Sequence, residues 1–493
     1  MTFKIAVIGA GSVGFTKKLC SDILKVPEFA AAGIEIALTD INAHNLDMVA
    51  QIIRRIVAVN NLPTRVTATT DRREALTGAR YVMNVVRIGG LEAFESDISI
   101  PLKYGVDQCV GDTICAGGIL YGQRGIAAML DFCKDIREVA EPNALLLNYA
   151  NPMAMMTWAA IEHGGVRTVG LCHGVQNGHR QIAAALRVPM EEVEIICSGI
   201  NHQTWYLDIR HKSQATGGRA IGRDELIAAF EAHPLFSKQE KVRIDVLKRF
   251  GFYSTESNGH LSEYLPWYRK RPDQIMDWIS MDEWIHGETG GYLRYTTENR
   301  NWFETDFPVF LEEAGKPLAD WARTDEHASH ILEALETGRP YRGHFNVRNG
   351  GTITNLPEDC IIESPGYVDR FGINMIEGVT LPLACAATCS ASVQVQRMSV
   401  QAAVTGDVDL LKQAVLHDPL VGAICTPEEV WQMVDEMLVA QAQWLPQYAA
   451  AIPAAVERLK SPKVKTREWT GAARLQVRSV DDLRATKKAK ASA

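Results

Sequence analysis

Three short segments concentrate side chains able to bind a metal and a polar ligand: Asn148-Tyr-Ala-Asn151-Pro152-Met153, Gly170-Leu-Cys172-His173-Gly174 and Gly199-Ile-Asn201-His202. A thiolate and an imidazole suit a divalent transition ion, and amides beside them suit hydroxyl groups. Cys172 and His202 stand too far apart for a structural zinc knuckle, and no second CxxC pair completes one. Spacing alone leaves two readings open: a two-ligand metal site finished by ligand and water oxygens, or a buried cysteine beside a hydrogen-bonded histidine. Cys385-Ala-Ala-Thr-Cys389 reads as two core positions one helical turn apart.

A second constellation is Gly9-Ala-Gly11-Ser12-Val-Gly14, which follows an apolar run and opens a helical segment. Gly9 permits a tight turn, Gly11 lets the backbone approach a pyrophosphate, and Gly14 lets helix and strand pack closely. Asp40 ends the next apolar run, where its carboxylate would accept from ribose hydroxyls and repel a 2′-phosphate, favouring NAD over NADP. Ser12, and Arg87 directly after the run Tyr81 to Val86, are assigned to the same cofactor site.

The elements that must position these groups are legible as apolar β-type runs at Lys4 to Ile8, Ile34 to Thr39, Tyr81 to Val86, Leu145 to Asn148 and Val169 to Cys172. Helical periodicity fills the intervals, as in Leu46 to Val59 and Ile126 to Ala140. Such alternation predicts an α/β fold over residues 1–197: a Rossmann-type, doubly wound parallel sheet like that of lactate and malate dehydrogenases. Each polar segment would then project from a strand end into the ligand crevice. Residues 198–459 predict an α+β domain that carries substrate, metal and oligomer contacts, with strand candidates at Thr352 to Leu356 and Cys360 to Glu363. Residues 460–493 read as a basic tail whose last residues, KKAKASA, are solvated or disordered.

Composition narrows the partners. A net charge of −8 gives no general attraction to nucleic acid. No apolar stretch is long enough to span a membrane, and the N-terminus enters a strand at once without room for a secretory signal. Ten dispersed cysteines suit reduced thiols in the cytoplasm. A small-molecule substrate and a homodimer or homotetramer are expected.

From Lys4 to about Tyr448 the chain resembles glycoside hydrolase family 4, and within it the melibiase-type α-galactosidases. The resemblance is carried by Gly9-Ala-Gly11-Ser12, Gly111-Asp112-Thr113 with Gly117-Gly118, Asn148-Tyr-Ala-Asn151-Pro152-Met153-Ala154-Met155, Gly170-Leu-Cys172-His173, Gly199-Ile-Asn201-His202, His260-Leu-Ser-Glu263-Tyr264 and Asn355-Leu-Pro357. The family is the NAD-dependent exception to the two-carboxylate scheme of glycoside cleavage. The resemblance implies that Cys172 and His202 hold a manganese-type ion against the sugar's C2 and C3 oxygens. It also implies a cycle: NAD takes hydride from C3, a base removes the acidified C2 proton, the aglycone leaves C1 by elimination, water adds, and the hydride returns.

Roles for the remaining residues follow from the same resemblance. Asp112 and Asn151 contact sugar hydroxyls, and Asp112 is also a candidate proton donor; read bare, they are a turn-forming and a capping residue. His173 protonates the leaving oxygen or binds the sugar, since imidazole suits proton transfer near neutral pH. The C2 base is a tyrosine in phospho-glycosidase members; here Tyr264 and His260 are the candidates, and Tyr253 reads as a core aromatic.

Phospho-sugar members carry Asn or Asp after the ligand cysteine, so His173 disfavours a 6-phosphate. Gly174 stands where melibiase-type members usually have Ser, and it is similar to uronic-acid-cleaving relatives, whereas Glu263-Tyr264-Leu-Pro266-Trp267 fits the galactosidase pattern. A neutral α-galactoside is the first expectation. An α-glucuronide, α-galacturonide or other anionic α-glycoside is the alternative, for which a guanidinium near sugar C6 would be needed, with Arg294 and Arg300 as candidates. Readings from other classes are an NAD-dependent hydroxy-acid dehydrogenase and a catalytically idle NAD sensor.

Overall fold

The computed structural model describes residues 2–212 and 217–491. Its first half alternates strands with helices: β1 (Lys4–Ile8), β2 (Glu35–Thr39), β3 (Arg65–Thr69), β4 (Tyr81–Asn84), β5 (Leu145–Asn148) and β6 (Arg167–Gly170). They pair in the order β3-β2-β1-β4-β5-β6, all parallel, which is the doubly wound dinucleotide order. Successive residues face opposite sides, so Ala6 and Ile8 of β1 enter one hydrophobic cluster while Ile5 and Val7 enter another. Burial on both faces is why these strands read as continuous apolar runs. The edge strand β3, Arg-Val-Thr-Ala-Thr, is only half-buried and polar, and no apolar run announces it.

The second half continues the sheet rather than starting a new one. It adds β7 (Val193–Ile200), β8 (Gln203–His211), β9 (Arg219–Ala220), β10 (Tyr253–Ser254), β11 (Tyr341–Arg348), β12 (Ile361–Asp369) and β13 (Gly372–Met375). The main path of the 13-stranded sheet runs β10-β8-β7-β12-β11-β6 before entering the parallel half. The boundary expected at 197/198 therefore falls inside β7. Cys360 to Glu363 opens β12 as expected, but Thr352 to Leu356 is a turn with one bridge, Ile353 to Val379. Its amides serve the Asn349 side chain, whose Oδ1 accepts from Ile353 N at 2.7 Å. Cys385 and Cys389 are buried on the helix Leu383–Thr405, as the one-turn spacing implies.

The basic C-terminal stretch is held to the body before its last residues: Ala472 N donates to Asp107 Oδ2 at 2.8 Å, Arg478 pairs with Glu298 at 2.8 Å and Arg484 with Asp306 at 2.6 Å. A helix, Val480–Ala491, runs through most of KKAKASA, whose last two residues lie outside the described ones. Among the described residues, no helix is long and apolar enough to cross a membrane.

Two helices at the crevice are clamped by a buried ion pair. Asp97 on the helix Gly90–Lys103 and Arg124 on the helix Cys115–Val139 meet in a two-pronged contact of 2.7 and 2.9 Å, both side chains essentially inaccessible. Gln441 Nε2 donates to the same carboxylate at 2.7 Å. One helix begins just after Arg87 and the other just after Asp112, so the clamp sets the distance between them. Replacing Asp97 with Ala leaves Arg124 buried without its counter-charge, and urea unfolding should show a loss of about 3–5 kcal/mol.

Candidate active site

The glycine turn after β1 is built for close approach. Gly9 has φ 86°, and a Cβ there would stand 2.9 Å from the Val86 backbone nitrogen. Gly11 N donates to Asp40 Oδ2 at 2.9 Å, and Asp40 Oδ1 accepts from Asn42 N at 2.8 Å. The carboxylate at the end of β2 is therefore oriented beside the turn, where a ribose would reach it. Ser12 is the N-cap of the helix Val13–Leu24, with no side-chain capping bond. Gly14 differs from expectation: a Cβ there meets nothing within 4 Å, so close helix–strand packing does not require it. Arg87 also differs. Its side chain turns from the glycine turn to Asp112, with Nη2 3.1 Å from Oδ2.

Asp112 is buried in the loop that precedes the helix Cys115–Val139. Its Oδ2 also accepts from Asn151 Nδ2 at 3.0 Å, so the structure brings Arg87, Asp112 and Asn151 together. Asn151 is placed by the turn after β5, where Asn148 Oδ1 accepts from Ala150 N at 3.1 Å and from Asn84 Nδ2 at 2.9 Å. Asp112 Oδ1 and Arg87 Nη1 are buried without a hydrogen-bond partner. Orphaned polar atoms are costly unless a ligand or water completes them.

Cys172 follows β6 by two residues, and His173 is the N-cap of the helix Gly174–Leu186. The Cys172 sulfur accepts from Gly174 N at 3.4 Å. A helix N-terminus favours thiolate, yet burial pushes the thiol well above its ordinary pKa, and the carboxylates of Glu363 and Glu256 push it further. A bound cation would reverse that balance. His173 is half-exposed, with Nδ1 3.7 Å from Glu326; it is not drawn to the Asp112–Asn151 pair.

His202 sits in the two-residue turn between β7 and β8 at φ 62°. Left-handed backbone at a non-glycine residue is strained by about 1–3 kcal/mol and recurs at functional positions. Gly199, at φ 157°, makes the turn possible, because a Cβ there would lie 2.4 Å from the Gln203 carbonyl oxygen. His202 Nδ1 lies 3.3 Å from Glu256 Oε2 and 3.4 Å from Thr113 Oγ1. His202, Glu256 and His260 each offer a ligand atom within 4.8 Å of the others, a trio that does not include Cys172.

Beneath this trio lies a buried relay. His260 Nδ1 makes a very short contact with Glu263 Oε2, and its Nε2 lies 2.7 Å from Thr113 Oγ1. Glu263 Oε1 accepts from the backbone nitrogens of Cys109 and Val110 at 2.5 and 2.9 Å. Tyr264 donates its hydroxyl to Thr113 Oγ1 at 2.9 Å. Both ring nitrogens of His260 are thus occupied within the protein. Burial would lower the pKa of His260, but Glu263 outweighs it and lifts the ring to about 9. Burial would raise Glu256, but the imidazoles of His202 and His260 hold it down at about 2. Because burial lowers His202 itself, His260 is the protonated partner of that carboxylate.

Tyr264 is 1% exposed, and burial together with Glu256 and Asp112 pushes its phenol well above 10. The charges that act on its hydroxyl are therefore acidic, and both that hydroxyl and the ring nitrogens of His260 are already hydrogen-bonded within the protein. Tyr253 is a core aromatic, stacked on Phe230 at 4.4 Å. Arg294 is consumed by Glu288 and Glu298, and Arg300 by Glu92. Glu256 and Thr113 were not singled out by sequence. The signal for Glu256 was its place four residues before His260, and for Thr113 its place directly after Asp112.

Comparisons with known proteins identify relatives along nearly the whole chain. The model of "Family 4 glycosyl hydrolase" matches residues 4–188, and that of the "Family 4 glycosyl hydrolase C-terminal domain" matches 197–421. An α-galactosidase of Rhizobium meliloti (strain 1021) is 73% identical over 488 residues, covering 99% of this chain and 98% of the relative. An α-galactosidase of Bacillus subtilis (strain 168) is 32% identical over 90% of this chain and 99% of its own length. Among solved structures, the 6-phospho-β-glucosidase of Thermotoga maritima with manganese, NAD+ and glucose-6-phosphate superposes with a TM-score of 0.71 at 22% identity, covering 90% of this chain and 99% of that one. The fold, the matched models and the relative 73% identical over nearly the whole chain together establish that this chain is a glycoside hydrolase belonging to family 4.

Proposed function

We propose that this chain cleaves neutral α-galactosides with the help of bound NAD and a manganese-type divalent ion. The observation that carries this reading is the 73% identity to an α-galactosidase over nearly the whole length of both chains. The residues present fit both groups. The Gly9–Gly11 turn lies against Asp40 more closely than a residue with a side chain allows, a Cβ on Gly11 standing 2.9 Å from the carboxylate oxygen, which suits a dinucleotide's ribose there, and Cys172 with His202 offers a soft and a borderline donor suited to manganese or zinc. Bound there, NAD supplies a hydride acceptor for sugar C3, and the ion supplies positive charge beside the oxygens at C2 and C3.

The chain's own groups do the rest. Asp112 Oδ1 and Asn151 bind sugar hydroxyls, which satisfies the orphaned carboxylate oxygen. Glu256, 13% exposed and ionised, takes the C2 proton, because Tyr264 and His260 lie one layer beneath it. His173 protonates the departing oxygen from the mouth of the site. Thr113 positions the buried layer through its single hydroxyl, which touches His260, Tyr264 and His202. Unpaired thiols at all ten cysteines suit a cytoplasmic enzyme, and a homodimer or homotetramer is the expected assembly.

Three outcomes test this reading. Chelation with EDTA should abolish release of p-nitrophenol from the α-galactoside, manganese should restore it only when NAD is present, and NADH should not accumulate. Cleavage of α-galacturonide or α-glucuronide alone would move the specificity to anionic sugars. In a second test, Glu256→Gln should lower kcat by about 100-fold or more with little change in galactose affinity, as loss of a proton-transfer group does. Equal losses in kcat and affinity would mean that Glu256 binds and does not transfer. Thirdly, Thr113→Val, which keeps the shape and removes the hydroxyl, should cost kcat about tenfold, on the scale of a buried hydrogen bond, while Thr113→Ser should stay near wild type. The reverse ranking would make Thr113 a packing residue.

A further inference from the structure

The stretch that delivers Asp112 and Thr113 runs between the helices Gly90–Lys103 and Cys115–Val139 with no helix or strand of its own. Irregular backbone is costly to order, and here other segments hold it. Glu263 takes the amides of Cys109, Val110 and Gly111. The carbonyls of Gln108 and Cys109 accept from Gly290 N at 2.7 Å and Tyr292 N at 3.2 Å. At the start of the stretch, the fully buried Asp107 is paired with Arg269, whose Nε donates to the Asp107 carbonyl at 2.6 Å. Its carboxylate also accepts from the buried Thr289 hydroxyl at 2.9 Å. The last donor to Asp107 comes from the far end of the chain: Ala472 N, at 2.8 Å. Beside it Ala473 N donates to Thr289 Oγ1 at 3.2 Å, and Thr289 N donates back to the Ala473 carbonyl at 3.1 Å. Gly471 permits this approach, with φ 97° and a Cβ position 2.3 Å from Thr289 Cγ2.

We propose that the C-terminal segment from Arg467 to Arg478 is a strap that positions the active-site loop, with Asp107 and Thr289 as the positioning residues it latches onto. This rests on the reading that places Asp112 and Thr113 in the site. Most of the segment is exposed, and its flanking ion pairs, Arg474 with Glu95 at 3.0 Å and Arg478 with Glu298 at 2.8 Å, are of the surface kind that contributes little. The latch is the pair of backbone amides seated on buried polar side chains, one of them a carboxylate, where hydrogen bonds are strongest. The strap touches all three segments that converge on Asp112. Glu95 lies on the helix that follows Arg87, Asp107 opens the loop, and Thr289 precedes the helix that carries Tyr292, whose ring lies 5.2 Å from the Arg87 guanidinium carbon. The family models that match this chain stop at residue 421, so the strap lies outside the part they describe. Loosening it frees the loop at its start, and the Thr113 hydroxyl at the other end no longer meets His202 and His260 in register. Small misplacements of this kind, arising far from the chemistry, lower turnover.

The test compares Thr289→Val, which keeps the shape and removes the latch hydroxyl, with Thr289→Ser, which keeps the hydroxyl, in the full chain loaded with NAD and manganese. Amide hydrogen exchange over residues 109–113, which needs no turnover, is read against the β1 amides as an internal reference. Turnover of p-nitrophenyl α-galactoside is read well below the melting temperature. Thr289→Val should speed exchange at 109–113 and lower kcat, each by about tenfold, the scale of one or two buried hydrogen bonds, with β1 unchanged. Thr289→Ser should stay within about twofold of wild type in both readouts. A Thr289→Val protein that melts earlier yet keeps wild-type exchange at 109–113 and wild-type kcat would make the latch merely structural and overturn the proposal, as would a Thr289→Ser protein no better than Thr289→Val. Should Thr289→Val fail to fold, Gly471→Val is read instead. It leaves Asp107 and Thr289 in place and drives only the strap away, so the same two changes are expected and their absence overturns the proposal. Wild-type protein that does not cleave the galactoside would remove the α-galactoside reading, while exchange at 109–113 would still decide for or against the strap.

Discussion

Two single-residue bridges hold the site together. Asn346 of β11 pairs with Gly170 at the end of β6, and Glu363 of β12 pairs with Gly199 near the end of β7. Because β11 and β12 pair with each other along their length, they act as a rigid spacer between the strand that delivers Cys172 and the hairpin that delivers His202. A parallel sheet ends its strands in a shared crevice, and β11 and β12 fix how far the end of β6 lies from the end of β7. The long return from β10 to β11 inserts the spacer and makes the two halves of the chain one sheet.

That insertion has an electrostatic consequence. Asn346 and Glu363 face each other across β11 and β12 in full burial, and burial lifts the Glu363 carboxyl to about 8. Glu363 and Glu256 both oppose ionisation of Cys172. Burial and the carboxyls around it thus both disfavour a free thiolate at Cys172, a balance that a bound cation would reverse.

The parallel half of the fold was legible because burial on both faces leaves a signature that survives in one dimension. β1, β2, β4 and β5 appear as apolar runs that end where the polar segments begin, and Gly9 with Asp40 adds a local pattern with a known geometric purpose. β3 escaped because an edge strand needs no such run. The antiparallel half was legible only as a class: whether Thr352 to Leu356 pairs or turns depends on a buried Asn349 side chain that competes for its amides, and no periodicity reports that. Along the basic stretch, charge counts do not say whether acidic partners such as Glu298 and Asp306 wait on the body.

In the site, sequence found the groups that face outward and missed those that hold them. Cys172, His202 and Asn151 stand at strand ends, where a polar residue after an apolar run draws notice, and Asp112, in a loop between two helices, was reached through the family resemblance. Glu256, Thr113 and the partnership of Arg87 with Asp112 depend on contacts between distant segments. The layer beneath them is saturated: His260 has both nitrogens engaged, Glu263 has Oε1 on three amide donors and Oε2 on His260, and Tyr264 spends its proton on Thr113. A layer so fully paired leaves little for a ligand, whereas Asp112 Oδ1 is buried without a partner and asks for one.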